Sequence, residues 1–138
     1  MQNRVDHGPS FTAEFPSFLD YRGRLTVLDH KDFDIPFEIK RLYWINGTCN
    51  EVSRGGHAHL ETVQLFFCVN GRSFWSMESE AGVDFVELES PDVGLFIPKM
   101  VWHEFKLEPG AVILAVASTY YDESDYIRDY AQWKKMLP

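Results

Sequence analysis

The sequence predicts an all-β fold, a sandwich or barrel of about eight short strands, closed by one C-terminal helix. Three observations carry this expectation. β-type segments recur between residues 25 and 118 at short, even spacing. Turn-forming pairs separate them, among them Asn70-Gly71, Pro91-Asp92 and Pro109-Gly110. Beyond residue 118 the period changes: Tyr126, Tyr130, Trp133 and Leu137 fall at the interval that lines up one face of a helix.

In chain order, residues 1–17 are polar and broken by Pro9 and Pro16, and read as an arm or irregular lead-in. Strands are expected over 25–28, 40–45, 63–69, 73–77, 84–88, 94–97, 103–107 and 112–118. Asn70-Gly71 predicts a tight hairpin, because both residues tolerate positive φ. Glu80-Ala81-Gly82 predicts another turn. Segments 41–45 and 84–88 alternate in part, so each presents one face to the core. Asp122 or Ser124 can cap the final helix, with Glu123 and Asp125 near its positive end and Lys134 and Lys135 in its last turn. The chain therefore reads as one domain: an arm over 1–17, a barrel over 18–121 and a helix over 122–137, packed on the barrel's outside. Neither an internal repeat nor a low-complexity tract interrupts it.

Composition narrows the function. With 13 Lys and Arg against 21 Asp and Glu, the formal net charge is −8. Phosphate backbones need clustered cations, so a nucleic-acid partner is not expected. An anionic small molecule would have to be met by a few local arginines. Aromatic residues make up 15% of the chain, which supports a packed aromatic interior or a ligand platform. The apolar runs are far shorter than the ~20 residues of a membrane span, and the N-terminus carries no secretory h-region. Cys49 and Cys68 form no metal-type pair. A soluble, cytoplasmic protein is expected.

The most informative segment is Arg54-Gly55-Gly56-His57-Ala58-His59. Two histidines two apart on a strand point to one face, so both imidazoles are expected in one cavity. Four residues separate this motif from Gln64, and Gly71 follows. A second half runs Gly94, Pro98, His103. His7 and His30 lie in polar surroundings and read as surface residues. Taken together, the two halves resemble the signature of the cupin superfamily. That resemblance implies an RmlC-like jelly-roll β-barrel. Metal-binding cupins carry a glutamate where this chain has Gln64, and a neutral amide offsets no cation charge. Met100 stands where a Gly is usual. No metal and no cofactor is expected.

Further stretches make the resemblance more specific. They are Arg22-Gly23-Arg24-Leu25, residues 34–43 (DIPFEIKRLY), Val69-Asn70-Gly71, residues 94–98 (GLFIP), Val101-Trp102-His103-Glu104, Ala117-Ser118 and residues 121–130 (YDESDYIRDY). Over roughly residues 18–136 the chain resembles the WxcM-like sugar 3,4-ketoisomerases, which act on dTDP-4-keto-6-deoxyglucose. It departs from them at Tyr21, Asp29 and Leu60. The resemblance implies a homodimeric isomerase that moves a keto group from C4 to C3 of a dTDP-linked deoxyhexose.

Such a reaction needs a base near neutral pKa beside the sugar and a donor for the enediolate oxygen. His57 is the expected base for the C3 proton, with His59 positioning it or shuttling protons; the residues leave the reverse assignment open. Tyr43 is the expected third catalytic group. Arg41, Arg54, Arg24, Gln64, Trp102 and His103 are the expected substrate-binding residues, arginine being suited to a diphosphate. Arg41 and Tyr43 should share a strand face. Arg128 reads as a helix-surface ion pair. Rival readings are a sugar-nucleotide epimerase, a metal-dependent cupin using His57, His59 and His103, and a non-catalytic sugar-nucleotide-binding module.

Overall fold

A computed structural model describes residues 2–29, 35–50 and 52–138; His30 and Asp34 of the sequence reading lie outside them. The described residues form thirteen strands: β1 Gln2–His7, β2 Ser10–Glu14, β3 Ser17–Asp20, β4 Gly23–Thr26, β5 Arg41–Ile45, β6 Ser53–His59, β7 Gln64–Asn70, β8 Ser73–Ser79, β9 Gly82–Leu88, β10 Val93–Ile97, β11 Trp102–Leu107, β12 Val112–Ala117 and β13 Tyr126–Ile127. Helix α1 spans Tyr130–Met136. The strands form a six-stranded sheet in the order β1-β2-β10-β7-β12-β5, a five-stranded sheet in the order β13-β6-β11-β8-β9, and the separate hairpin β3-β4. The expected jelly-roll arrangement is what the two sheets build.

Between the sheets sits an apolar core that includes Phe66, Trp75, Met77, Phe105, Leu107 and Ile113. Trp75 stacks on Phe105 at 4.1 Å between ring centroids. Strand β7 is buried on both faces, which is why its sequence is a continuous apolar run instead of an alternating one. Its other face packs Leu65 and Phe67 against Phe11, Phe15, Phe37 and Phe96. Gly94 belongs to this second layer: a Cβ there would lie 2.9 to 3.0 Å from Phe15, Leu65 and Phe67. A third cluster joins Ala58, Trp102 and Ile127 to Trp133 of α1.

The structure corrects three expectations. The N-terminal segment is no irregular arm. Its strand β2 pairs with β10 of the same chain and buries Phe11 and Ala13, and Phe15 just beyond it is buried too, so a polar-looking stretch supplies one layer of core. His7 accordingly is only part-buried and reaches Thr12 at 3.3 Å. Asn70-Gly71 does turn the chain, with Gly71 at φ 73°, but it makes no hairpin. β7 and β8 enter different sheets, and the turn carries the chain from one layer to the other against Ala111. β8 forms its hairpin with β9 instead, closed at Ser79 and Gly82.

The helix is also shorter than the expected 122–137. Asp122 caps only a 3-10 turn at Glu123–Asp125, and Asp129 caps α1 by accepting from the Gln132 N–H. The residues between are taken by sheet pairing, Tyr126 with His59 and Ile127 with Ala58. Edge pairing satisfies those backbone groups, and Ile127 is buried. Met100 takes a left-handed φ of 64°, the conformation that favours Gly. Its N–H donates to the His59 carbonyl at 2.7 Å, and its own carbonyl accepts from Trp133 Nε1 at 2.9 Å. The helix is thus tied to the histidine strand through one strained residue.

Candidate active site

A cavity of about 360 Å³ opens at one end of the sandwich, with one wall from each sheet. The six-stranded sheet builds its wall from regular antiparallel rows. Tyr43 of β5, Ala115 of β12 and Phe66 of β7 stand in register, and Arg41, Ala117 and Gln64 form the next row. Both middle residues are fully buried alanines. Their small size lets the long side chains on either side reach over β12. Arg41, Tyr43 and Ile45 all face the cavity, as the period of two requires.

The opposite wall is irregular. His103 of β11 pairs with His57, but the next residue, Glu104, pairs with Gly55, so Gly56 is an extra residue in a β-bulge. Gly55 and Gly56 sit at φ 81° and 73°, and a Cβ on Gly55 would come within 2.8 Å of the His103 carbonyl oxygen. The Gly-Gly pair therefore exists to bend β6 ahead of its histidines. The bulge brings the His57 ring within 4.8 Å of His103 and 5.0 Å of His59, centroid to centroid.

His57 and His103 line the cavity; His59 stands behind them, 3% exposed. Its Nδ1–H donates to Asp125 Oδ2 at 2.8 Å. The same carboxylate accepts from the Thr62 hydroxyl and from the Glu61 backbone N–H. Burial pushes Asp125 up, and those hydrogen bonds outweigh it, so its carboxyl ends below the ordinary value. With Nδ1 committed, His59 presents Nε2 as a lone pair, and that atom has no partner. His103 is held likewise, Nδ1–H to the Val101 carbonyl at 3.1 Å.

Electrostatics divide the two walls. Burial, aided by the charges of His59 and Arg128, brings His57 down to about 4. Burial also lowers His59, against the pull of Asp125, and takes His103 to about 3. All three imidazoles are neutral at pH 7. Across the cavity, burial, helped by the Tyr126 phenol, pushes Tyr43 up to about 12, so it keeps its proton. Gln64 Nε2 donates to the Tyr43 hydroxyl at 2.8 Å. Among the described residues, five buried polar side-chain atoms have no hydrogen-bond partner; four of them are Arg41 Nε, His57 Nδ1, His59 Nε2 and Gln64 Oε1. Native interiors hold few such atoms, and their gathering around one apolar cavity marks a binding site. Charge points the same way. Arg4, Arg22, Arg24, Arg72 and Arg128 are ion-paired, whereas Arg41 and Arg54, which line the cavity, make no ion pair with a described residue.

Not every residue singled out from sequence reaches this site. Arg24 lies on the β3-β4 hairpin, bonded to Ser17 and near Asp92, away from the cavity. Trp102 alternates outward from β11 and packs on Tyr130 and Trp133, because its neighbour His103 takes the inward face. Gln64 stands behind Tyr43 and does not line the cavity. Conversely, Tyr121, Tyr126 and Asp125 stand at the site, although the sequence places Tyr121 at the end of the barrel and the other two in the expected helix. The Tyr126 ring lies 4.9 Å from His57 and 4.5 Å from His59. Arg128 pairs with Glu123 as expected, yet off the helix, and its guanidinium covers Tyr126 at 4.4 Å. That bond holds Glu123 down to about 2. The alternation of Asp125 and Ile127 against Tyr126 was the available signal for a strand here. The nitrogens of His57, His59 and His103 fall within 4.8 Å of one another, a spacing that a divalent transition-metal ion also fits, though no carboxylate belongs to the group. No helix among the described residues is long and apolar enough to cross a membrane.

The family model described as FdtA: WxcM-like, C-terminal matches residues 10–138. A TDP-4-oxo-6-deoxy-alpha-D-glucose-3,4-oxoisomerase from Aneurinibacillus thermoaerophilus is 39% identical over 138 residues, covering 99% of this chain and 94% of the relative. A 3,4-ketoisomerase structure from Helicobacter canadensis superposes with a TM-score of 0.87 at 36% identity, over 94% of this chain and 98% of the other. A histidine-to-asparagine variant of the 3,4-ketoisomerase QdtA from Thermoanaerobacterium thermosaccharolyticum, in complex with TDP-4-keto-6-deoxyglucose, superposes with a TM-score of 0.85 at 36% identity, over 94% and 97%.

Proposed function

The chain belongs to the FdtA, WxcM-like family, and on that premise we propose that it is a TDP-sugar 3,4-ketoisomerase that converts TDP-4-keto-6-deoxyglucose to its 3-keto isomer. The observation that carries the reading is the pairing of neutral imidazoles on one wall with a protonated phenol on the other, around unpartnered polar atoms. His57 takes the C3 proton. As the C4 carbonyl becomes an enediolate oxygen, Tyr43 donates to it. His59, its tautomer fixed by Asp125, stands behind His57 and positions that ring. His57 then gives a proton to C4, and the C3 hydroxyl returns its proton to Tyr43, so atoms balance and no redox partner is required. Arg41 and Arg54 hold the diphosphate.

We read the chain as one cupin domain acting as a homodimer in the cytoplasm. Leu42 and Trp44, on the outer face of the edge strand β5, are 55% and 65% exposed, which supports a partner surface. Both cysteines are free, which supports a reducing compartment. The three-imidazole group favours one second reading, a metal-dependent cupin. An NMR time course with TDP-4-keto-6-deoxyglucose in heavy water separates them. Conversion to a 3-keto isomer with deuterium at C4, unaffected by chelator, is expected. Deuterium at C3 or C5 with the 4-keto group kept would indicate an epimerase. Unchanged sugar together with bound metal would overturn the proposal.

A further inference from the structure

Gln64 is 2% exposed and lies outside the cavity, yet it touches the group that faces the substrate. A tyrosine hydroxyl has one hydrogen to give and two lone pairs to receive with. Because the Gln64 amide N–H occupies a lone pair of Tyr43 Oη, the hydroxyl's own hydrogen has to point elsewhere, and the open direction is the cavity. The register explains how the contact spans a strand: Gln64 and Tyr43 flank β12, where Ala115 and Ala117 leave room.

We propose that Gln64 is a positioning residue that donates to Tyr43 and thereby aims the Tyr43 hydroxyl hydrogen at the substrate oxygen. The inference rests on the reading of Tyr43 as proton donor. Its chemistry is specific to the amide. An ionised glutamate at the same place has only acceptor oxygens, would accept the tyrosine hydrogen, and would turn it away from the cavity. A protonated glutamate would again donate.

The test measures turnover of TDP-4-keto-6-deoxyglucose by Gln64→Glu, Gln64→Leu, Tyr43→Phe and the double variant Tyr43→Phe/Gln64→Glu, each with its melting temperature. Tyr43→Phe should lose about 100-fold in kcat. Gln64→Glu should lose a similar factor at pH 8 with KM within about threefold, and the gap to wild type should narrow at least about tenfold as pH falls and the new carboxyl protonates. The double variant should be no slower than Tyr43→Phe alone within about twofold, because the two changes act through one hydroxyl. Should Gln64→Glu fail to fold, Gln64→Leu should lose about tenfold in the wild-type background and nothing in the Tyr43→Phe background. Additive losses, or Gln64→Glu and Gln64→Leu enzymes both at wild-type speed at pH 8, would overturn the inference. A Tyr43→Phe enzyme at wild-type speed would instead remove Tyr43 from the donor role, and the inference with it.

Discussion

The two walls of the cavity are built on opposite plans. The β5-β12-β7 wall is a regular ladder with alanines at its centre, and it holds a phenol that keeps its proton. The β6-β11 wall is broken by a glycine bulge, and it holds imidazoles that burial keeps unprotonated. The difference teaches how one desolvated space produces an acid and a base together. Burial penalises whichever form is charged, so it lowers histidine and raises tyrosine in the same step. Regular pairing suffices to place a long tyrosine. Bringing nitrogens of three imidazoles within 4.8 Å of one another required a bent strand.

The comparison is broken most severely at His57. His57→Asn should lower kcat by about 10³-fold or more while the protein stays folded. Steady-state turnover with a melting curve checks both parts. Gly55→Ala attacks the bulge: at φ 81° a Cβ is strained, and it meets the His103 carbonyl at 2.8 Å. A loss of about 2 kcal/mol or more in stability, with a loss of turnover, is expected from denaturant titration and assay. The carboxylate behind the second histidine comes next. Asp125→Asn removes the charge that opposes desolvation of His59, so kcat should fall about 10- to 100-fold with KM near wild type.

The smallest expected effect is on stability against pH. The folded pKa values of His57 and His103, about 4 and about 3, lie below the unfolded value of 6.5. Between those limits the unfolded chain binds more protons, so stability is full above pH 6.5 and falls as pH drops toward 3. The slope is at most about 1.4 kcal/mol per pH unit for each histidine. Urea midpoints measured from pH 8 to pH 4 should decline, and less steeply in His103→Gln.

The fold was largely legible because seven of its strands, 41–45 and those from 64–70 through 112–117, announce themselves by apolar or alternating runs between turn residues. The histidine pair was legible because a period of two and a preceding Gly-Gly are local features. What escaped were elements whose character is decided by distant partners. Strand β2 reads as a polar lead-in until β10 is beside it. Tyr126 fits a helical stripe, and only pairing with His59 makes it a strand residue over the imidazoles. Trp102 and His103 are neighbours in sequence, and which of them faces the cavity depends on the sheet's orientation. Asp125 reads as an acid near the positive end of a helix because nothing near it in sequence names His59, 66 residues away, as its partner.

The most direct test of the central claim, that His57 is the base of the imidazole wall, is proton exchange in heavy water. Wild-type enzyme with TDP-4-keto-6-deoxyglucose should carry deuterium into the sugar as it isomerises. His57→Asn, binding the nucleotide sugar within about threefold of wild type, should leave the C3 proton in place over the same time. Loss of that proton at the wild-type rate in the variant would contradict the account and move the base role to another residue.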